Sequence, residues 1–309
     1  VDLDVSYTPV SFAAFRVGYG REQADRTQRI FSQTVDEVTR ASVDTTVRVL
    51  TLRGSVEHAK RRGSGFTPDL LSSVSEQLTM RPWDIADRDR DRATALAQLN
   101  LSSALGLSAS VSTGQDQYVQ SEFGLRSNRN HSYAFTADIT PSDQFSASAF
   151  YNVDRFAAVQ NQRSTGTAAQ FVDPTRNWSI DAYDYAKTVG AQLESLHLVP
   201  RTEIRAGYTL SRSRSTYQFD TVLGSSLATP VQLTPVTNRL ESATADVRIV
   251  ITPRVTLGLL WMHQRYDVED FAQGTGTLTR LDPPGALLLG YLNRAYVIDA
   301  VSVRALYFW

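Results

Sequence analysis

The sequence predicts an all-β protein, an antiparallel up-and-down transmembrane β-barrel of about thirteen strands. Three observations predict it. Segments of about ten residues alternate apolar with polar or very small side chains. Short and long connections alternate along the whole chain. The last nine residues, "VSVRALYFW", form an extended stretch whose apolar side includes the terminus itself.

The alternation recurs from end to end. Val1, Leu3, Val5 and Tyr7 oppose Asp2, Asp4 and Ser6, and Ala13, Phe15, Val17 and Tyr19 oppose Arg16, Gly18 and Gly20. Leu105, Leu107, Ala109 and Val111 oppose a row of Gly and Ser, and Tyr133, Phe135, Ala137 and Ile139 oppose Ser132, Thr136 and Asp138. Ile204 to Leu210, Ala243 to Ile249 and Val255 to Trp261 repeat the pattern. Proline and small polar residues place short turns at "TPVS" (8–11), "DTT" (44–46), "SSA" (102–104), "TPSD" (140–143), "LVPR" (198–201) and "TPR" (252–254). Long polar loops are expected near 22–32, 61–88, 119–129, 157–185, 218–235 and 272–293. A soluble sandwich has no reason to collect all its short turns at one end. A transmembrane barrel has short periplasmic turns and longer extracellular loops. Tyr7, Phe12, Phe145, Tyr307 and Trp309 near the short turns, with Tyr19, Tyr133 and Tyr151 toward the loops, suit aromatic girdles at the two interfaces.

The 309 residues read as a single outer-membrane barrel domain. The first strand runs into a short turn and the last follows a long loop, so both point toward the periplasm. An even count closes an antiparallel barrel. An odd count is read as the C-terminal part of a larger barrel, truncated at its N-terminus, with a miscounted first strand as the alternative.

Composition narrows the chemistry. A formal net charge of -1 gives no reason to expect a nucleic-acid partner. With no cysteine, the chain has no disulfide, no thiolate metal site and no attached c-type haem. The best helical stretch, "DLLSSVSEQL" (69–78), is short, and no apolar run approaches a membrane helix. His58, His131, His197 and His263 are widely separated, without ligand spacing. No nucleophile elbow, P-loop or zinc-hydrolase motif is present, so no catalytic or metal residue is assigned and the chain is read as a non-enzyme. In "DIADRDRDR" (84–92 region), Asp87, Asp89 and Asp91 share one strand face and Arg88, Arg90 and Arg92 the other. Neither face suits lipid, so the run is read as a cross-strand charge ladder above the membrane, with a docking or cation-binding rim for an extracellular partner as the alternative. On the polar side of the strands, Arg16, Arg53, Asp138, Arg205, Asp246, Arg248 and Arg304 are expected to face the lumen, among many Gly and Ser.

The final strand, with Val303, Ala305, Tyr307 and Trp309 at every second place, resembles the C-terminal assembly signal of bacterial outer-membrane barrels, which the barrel-assembly machinery reads. "VEHAKRRGSGF" (56–66), "RPWDIADRDRDR" (81–92), "FVDPTRNWSIDAYD" (171–184), "LTPVTNRLESATADVRI" (233–249), "YDVEDFAQG" (266–274) and "LLLGYLNRAY" (287–296) together resemble the MtrB/PioB type of decahaem-associated outer-membrane barrel. The resemblance implies residence in the bacterial outer membrane, among its lipids. It also implies a role as sheath around a multihaem c-type cytochrome, which conducts electrons across that membrane. The haem would belong to the partner, with no cofactor on this chain. Many members carry a cysteine pair near their N-terminus, and none is present here. A passive porin-like solute channel and the wall of a TonB-dependent receptor are the alternative readings.

Overall fold

The structure, a computed structural model, describes residues 1–27, 29–67, 80–196, 199–230, 232–270 and 295–307. The helical stretch 69–78, His197, Trp309 and nearly all of the loop between the last two strands lie outside the described residues.

Thirteen strands form one antiparallel sheet, each paired with its neighbour in sequence. They are β1 (Asp2–Val10), β2 (Ala13–Asp25), β3 (Phe31–Val47), β4 (Leu50–Phe66), β5 (Arg88–Ser102), β6 (Leu105–Gln117) and β7 (Gly124–Ser142). After these come β8 (Phe145–Arg163), β9 (Asn177–Leu196), β10 (Thr202–Thr221), β11 (Val236–Thr252), β12 (Val255–Glu269) and β13 (Tyr296–Tyr307). The sheet is open: β1 and β13 do not pair with each other.

Because successive side chains alternate between faces, the register assigns every residue to one side. One row runs Leu105, Ile139, Ala147, Leu193, Ala206, Ala245, Trp261, Val301, each residue opposite the next across neighbouring strands. A second runs Val17, Ala41, Val56, Ala93. Such rows make an apolar face whose large side chains stay exposed, among them Val5, Val17, Phe135, Leu259 and Val303. The buried hydrophobic cluster is small, Ile30, Phe31 and Ile85 with Phe66 against it, and it sits at the loop end of the sheet. A soluble protein would turn its apolar rows inward against each other. Here the rows point outward, as lipid requires. On β8 the apolar positions Phe145, Ala147, Ala149, Tyr151 and Val153 precede Arg155. That length matches the roughly 9–11 residues of a tilted membrane strand.

Two sequence readings need correction. "DTT" (44–46) is no turn: Asp44, Thr45 and Thr46 lie in β3, paired with Arg53, Leu52 and Thr51. β-Branched threonines favour the strand, and Thr46 and Thr51 share a hydroxyl hydrogen bond of 3.2 Å. The chain reverses at Arg48 and Val49 instead, with Arg48 in the left-handed region (φ 53°). Five of the six long loops, all but the one between β12 and β13, are also shorter than expected, because the strands continue beyond the apolar belt. β8 and β9 stay paired up to Arg163 and Asn177, where the sequence suggested a loop over 157–185. Above lipid both faces meet water, so apolar alternation fades while the backbone ladder persists.

Ala149 sits in the middle of the β8 apolar series. Ala149→Arg is expected to destabilise the folded protein in lipid by about 2–4 kcal/mol. Its neighbour Ser148→Arg, on the opposite face, should cost under about 1 kcal/mol. Urea unfolding in vesicles, followed by tryptophan fluorescence, measures both.

Candidate functional site

The face opposite the apolar rows carries the charges singled out by the sequence. Arg16, Arg53, Asp138, Arg205, Asp246, Arg248 and Arg304 all lie on it by register. The structure gathers them into separate groups. Asp44 on β3 takes Arg16 from β2 at 3.0 Å and Arg53 from β4 at 3.1 Å. On β10, Arg205 donates to Glu194 of β9 at 2.7 Å. Arg304 of β13 reaches across β12 to donate to both carboxylate oxygens of Asp246 at 2.8 Å, and Arg248 donates to the same group at 3.2 Å. Asp138 forms no ion pair among the described residues; with Ser146, Ser148, Gln192, Arg205 and Asp246 it lines a shallow open depression of about 380 Å³. Asp44 and Glu194 were not among the sequence-predicted residues. Their signal was available, since each lies directly opposite an arginine on the adjoining strand.

Glycines lie beneath these crossings. Gly258 lies between Arg248 and Arg304 in the pairing order. A Cβ there would touch Arg304 Nε at 3.6 Å and Arg248 Cγ at 3.8 Å. Gly18 does the same between Asp4 and Arg40, where a Cβ would come within 2.2 Å of the Asp4 carboxylate. The face is not uniformly slim. Phe150 lies over Gly190, whose added Cβ would come within 2.4 Å of the ring.

At the loop end the polar face is roofed. The guanidinium of Arg61, on β4, donates to the carbonyls of Ala86 (2.9 Å), Asp84 (2.6 Å) and Trp83 (2.6 Å). Asp87 accepts from the Gly63 amide at 2.6 Å, and Arg29 bonds Asp84. Arg81 lies 3.7 Å from the Phe66 ring centroid. Each loop then meets the next: Met80 bridges to Phe123, and Arg163 lies 4.8 Å over the Phe123 ring while holding the Phe171 carbonyl at 2.7 Å. Thr175 meets Ser226, hydroxyl to hydroxyl, at 3.0 Å. Asp173, which precedes the 3-10 turn Pro174–Arg176, accepts from the Thr175 amide and hydroxyl. Those bonds hold its carboxyl below the usual range. The cap is therefore present above the ordinary carboxylate pKa and lost as pH falls through the lowered one.

The charge ladder reading of 84–92 holds, with one change. Arg90 grips Asp116 bidentately at 2.7 and 3.2 Å, and on the opposite face Asp89 takes Arg62 at 2.6 Å and Asp91 takes His58 at 2.7 Å. Asp87 precedes β5 and belongs to the roof. His131 and His263 likewise have private partners, Thr113 at 2.9 Å and Asp299 at 2.8 Å. Among the described residues no group of three or more His, Cys, Asp or Glu could hold a metal. Of the assembly-signal residues, Val303, Ala305 and Tyr307 stand on the apolar face opposite Leu259, Leu257 and Val255, while Trp309 lies outside the described residues.

A lipid-facing apolar belt, a polar inner face, short turns at one end and long loops at the other define the wall of an outer-membrane β-barrel. The chain belongs to the family described as "Putative outer membrane beta-barrel porin, MtrB/PioB", whose model matches residues 1–309. No curated protein sequence matches it significantly. Its fold is similar to that of the ferric enterobactin receptor PfeA from Pseudomonas aeruginosa (13% identity, TM-score 0.56, 83% of this chain and 41% of that one). It is also similar to the closed form of the ferric-catecholate import receptor Fiu from E. coli K12 (12%, 0.55, 85% and 48%). The unliganded ferric citrate transporter FecA matches over 98% of this chain and 43% of its own, at 12% identity and TM-score 0.55. The chain thus spans less than half the length of these three structures. At such identities the likeness shows the fold alone.

Arg61→Ala removes the donor from three roof carbonyls. The roof is expected to loosen by about 1–3 kcal/mol, read as faster amide hydrogen exchange over 80–87 with the exchange of β8–β10 unchanged.

Proposed function

We propose that the polar face is the lumenal wall of a barrel that sheathes a multihaem c-type cytochrome, so that electrons cross the outer membrane on the partner's haems. One observation carries the reading: among the described residues the charges of the wall are largely paired with one another. Most of its arginines are spent on carboxylates of the same wall, Arg16 and Arg53 on Asp44, Arg205 on Glu194, Arg248 and Arg304 on Asp246. Between them lie slim rows such as Gly106, Ser108, Ser110, Ser112 and Gly114 on β6. Paired charge and low bulk suit a passive surface that a folded, hydrated protein can lie against. Membership in the MtrB/PioB family supports the same reading. The chain itself then has no catalytic residue and no cofactor, and no nucleic acid is a partner. The outward residues Val303, Ala305 and Tyr307 serve insertion by the barrel-assembly machinery rather than transport.

A solute channel is the competing reading, since a polar wall also suits water. The full-length protein in liposomes with an enclosed redox dye separates them. Dye reduction by an external donor is expected only when a multihaem cytochrome is co-reconstituted. Solute flux that is open and indifferent to the cytochrome overturns the sheath.

A further inference from the structure

The outer face carries one feature that a lipid-facing wall does not need. At the loop-end margin of the belt, across β7 to β11, the outward positions are basic: Arg129, Arg155, Lys187, Arg212, Arg214 and Arg239. Lys187, Arg212 and Arg239 stand directly opposite one another on three successive strands. Like charges placed so repel, and a sheet gains nothing from them without a counter-charge. Among the described residues only Arg239 has an ion pair, to Glu241 at 2.9 Å, and its Nε is buried without a hydrogen-bond partner. Arg155 and Lys187 flank the Tyr185 ring, at 5.5 and 5.2 Å from its centroid. The other sectors of the margin differ. There His58 has Asp91, and His263 has Asp299.

A second observation points to what neutralises the patch. Beside and below it, an open apolar groove of about 660 Å³ runs from β3 to β8, lined by Leu52, Ala97, Val111, Tyr133, Phe135 and Tyr151. Tyr133 and Tyr151 are each two outward positions below a basic residue, Arg129 and Arg155. The patch lies at the level of the outer leaflet's headgroups, since the long loops are extracellular. Cations beside an acyl-sized apolar groove match an anion that carries its own hydrocarbon.

We propose that the β7–β11 margin binds the phosphate groups of a phosphorylated glycolipid of the outer leaflet, with an acyl chain of the same molecule in the groove. The site is independent of what the lumen holds. The test incubates the purified full-length protein in detergent with bis-phosphorylated lipid A or its dephosphorylated counterpart. Retained lipid is then counted by native mass spectrometry. Retention of the phosphorylated form is expected to be about tenfold or more above the other, and Lys187→Gln with Arg212→Gln should lose most of it. Arg21→Gln, on the same face of β2, should keep it. Equal retention of the two lipids overturns the proposal using unaltered protein, whatever the variants do. So does full retention by the double variant, or displacement by inorganic phosphate or heparin as effective as by phosphorylated lipid, which would mark a site for soluble anions.

Discussion

Backbone amides and carbonyls find no partner in hydrocarbon, and this one fact organises the molecule. Each polar backbone group within the bilayer must be satisfied by the neighbouring strand. The result is a ladder that passes from β1 to β13 without a crossover. Once the ladder is continuous, alternation follows, because a strand cannot show the same chemistry to both sides. One set of side chains is given to lipid and the other to whatever fills the interior. The outer strands of the sheet, β1 and β13, run in the same direction and leave the ladder open at both edges.

The interior set is governed by a different economy. A charged side chain over a strand needs a partner within reach and room to lie down. Asp246 illustrates the first, collecting Arg248 and Arg304 from two strands, and Gly18, where a Cβ would come within 2.2 Å of the Asp4 carboxylate, illustrates the second. The pairs are partly exposed, so each contributes little to stability. Their effect is on the face itself, whose positive charge is largely cancelled in place.

The sequence was legible wherever lipid dictated it. Apolar-polar alternation placed the membrane portion and outward face of strands such as β1, β2, β6, β7 and β10 to β13, and the lumenal register of Arg205, Asp246 and Arg304 follows from the same period of two. It was illegible where lipid stops. The extensions of β8 and β9 to Arg163 and Asn177 have water on both sides, so nothing in their pattern separates strand from loop. The roof was hidden for a related reason. Arg61 reads as one basic residue in "HAKRRGS", and only the return of residues 83–86 over β4 reveals a guanidinium serving three carbonyls. The threonines at 45 and 46 misled in the opposite direction, since turn-forming polarity and strand-forming β-branching coincide in one residue type.

The chain of loop-to-loop contacts has a geometric consequence. From Arg29–Asp84 through Met80–Phe123 and Arg163–Phe123 to Thr175–Ser226, each loop from the one after β2 to the one after β10 is fastened to the next. A hoop of this kind resists widening, and part of it folds over the inner face near β4. The opposite mouth, with its tight hairpins, has no such lid among the described residues. Splaying the hairpins at the loop end therefore means breaking these contacts one after another, whereas at the turn end the backbone ladder alone holds neighbouring strands at their spacing.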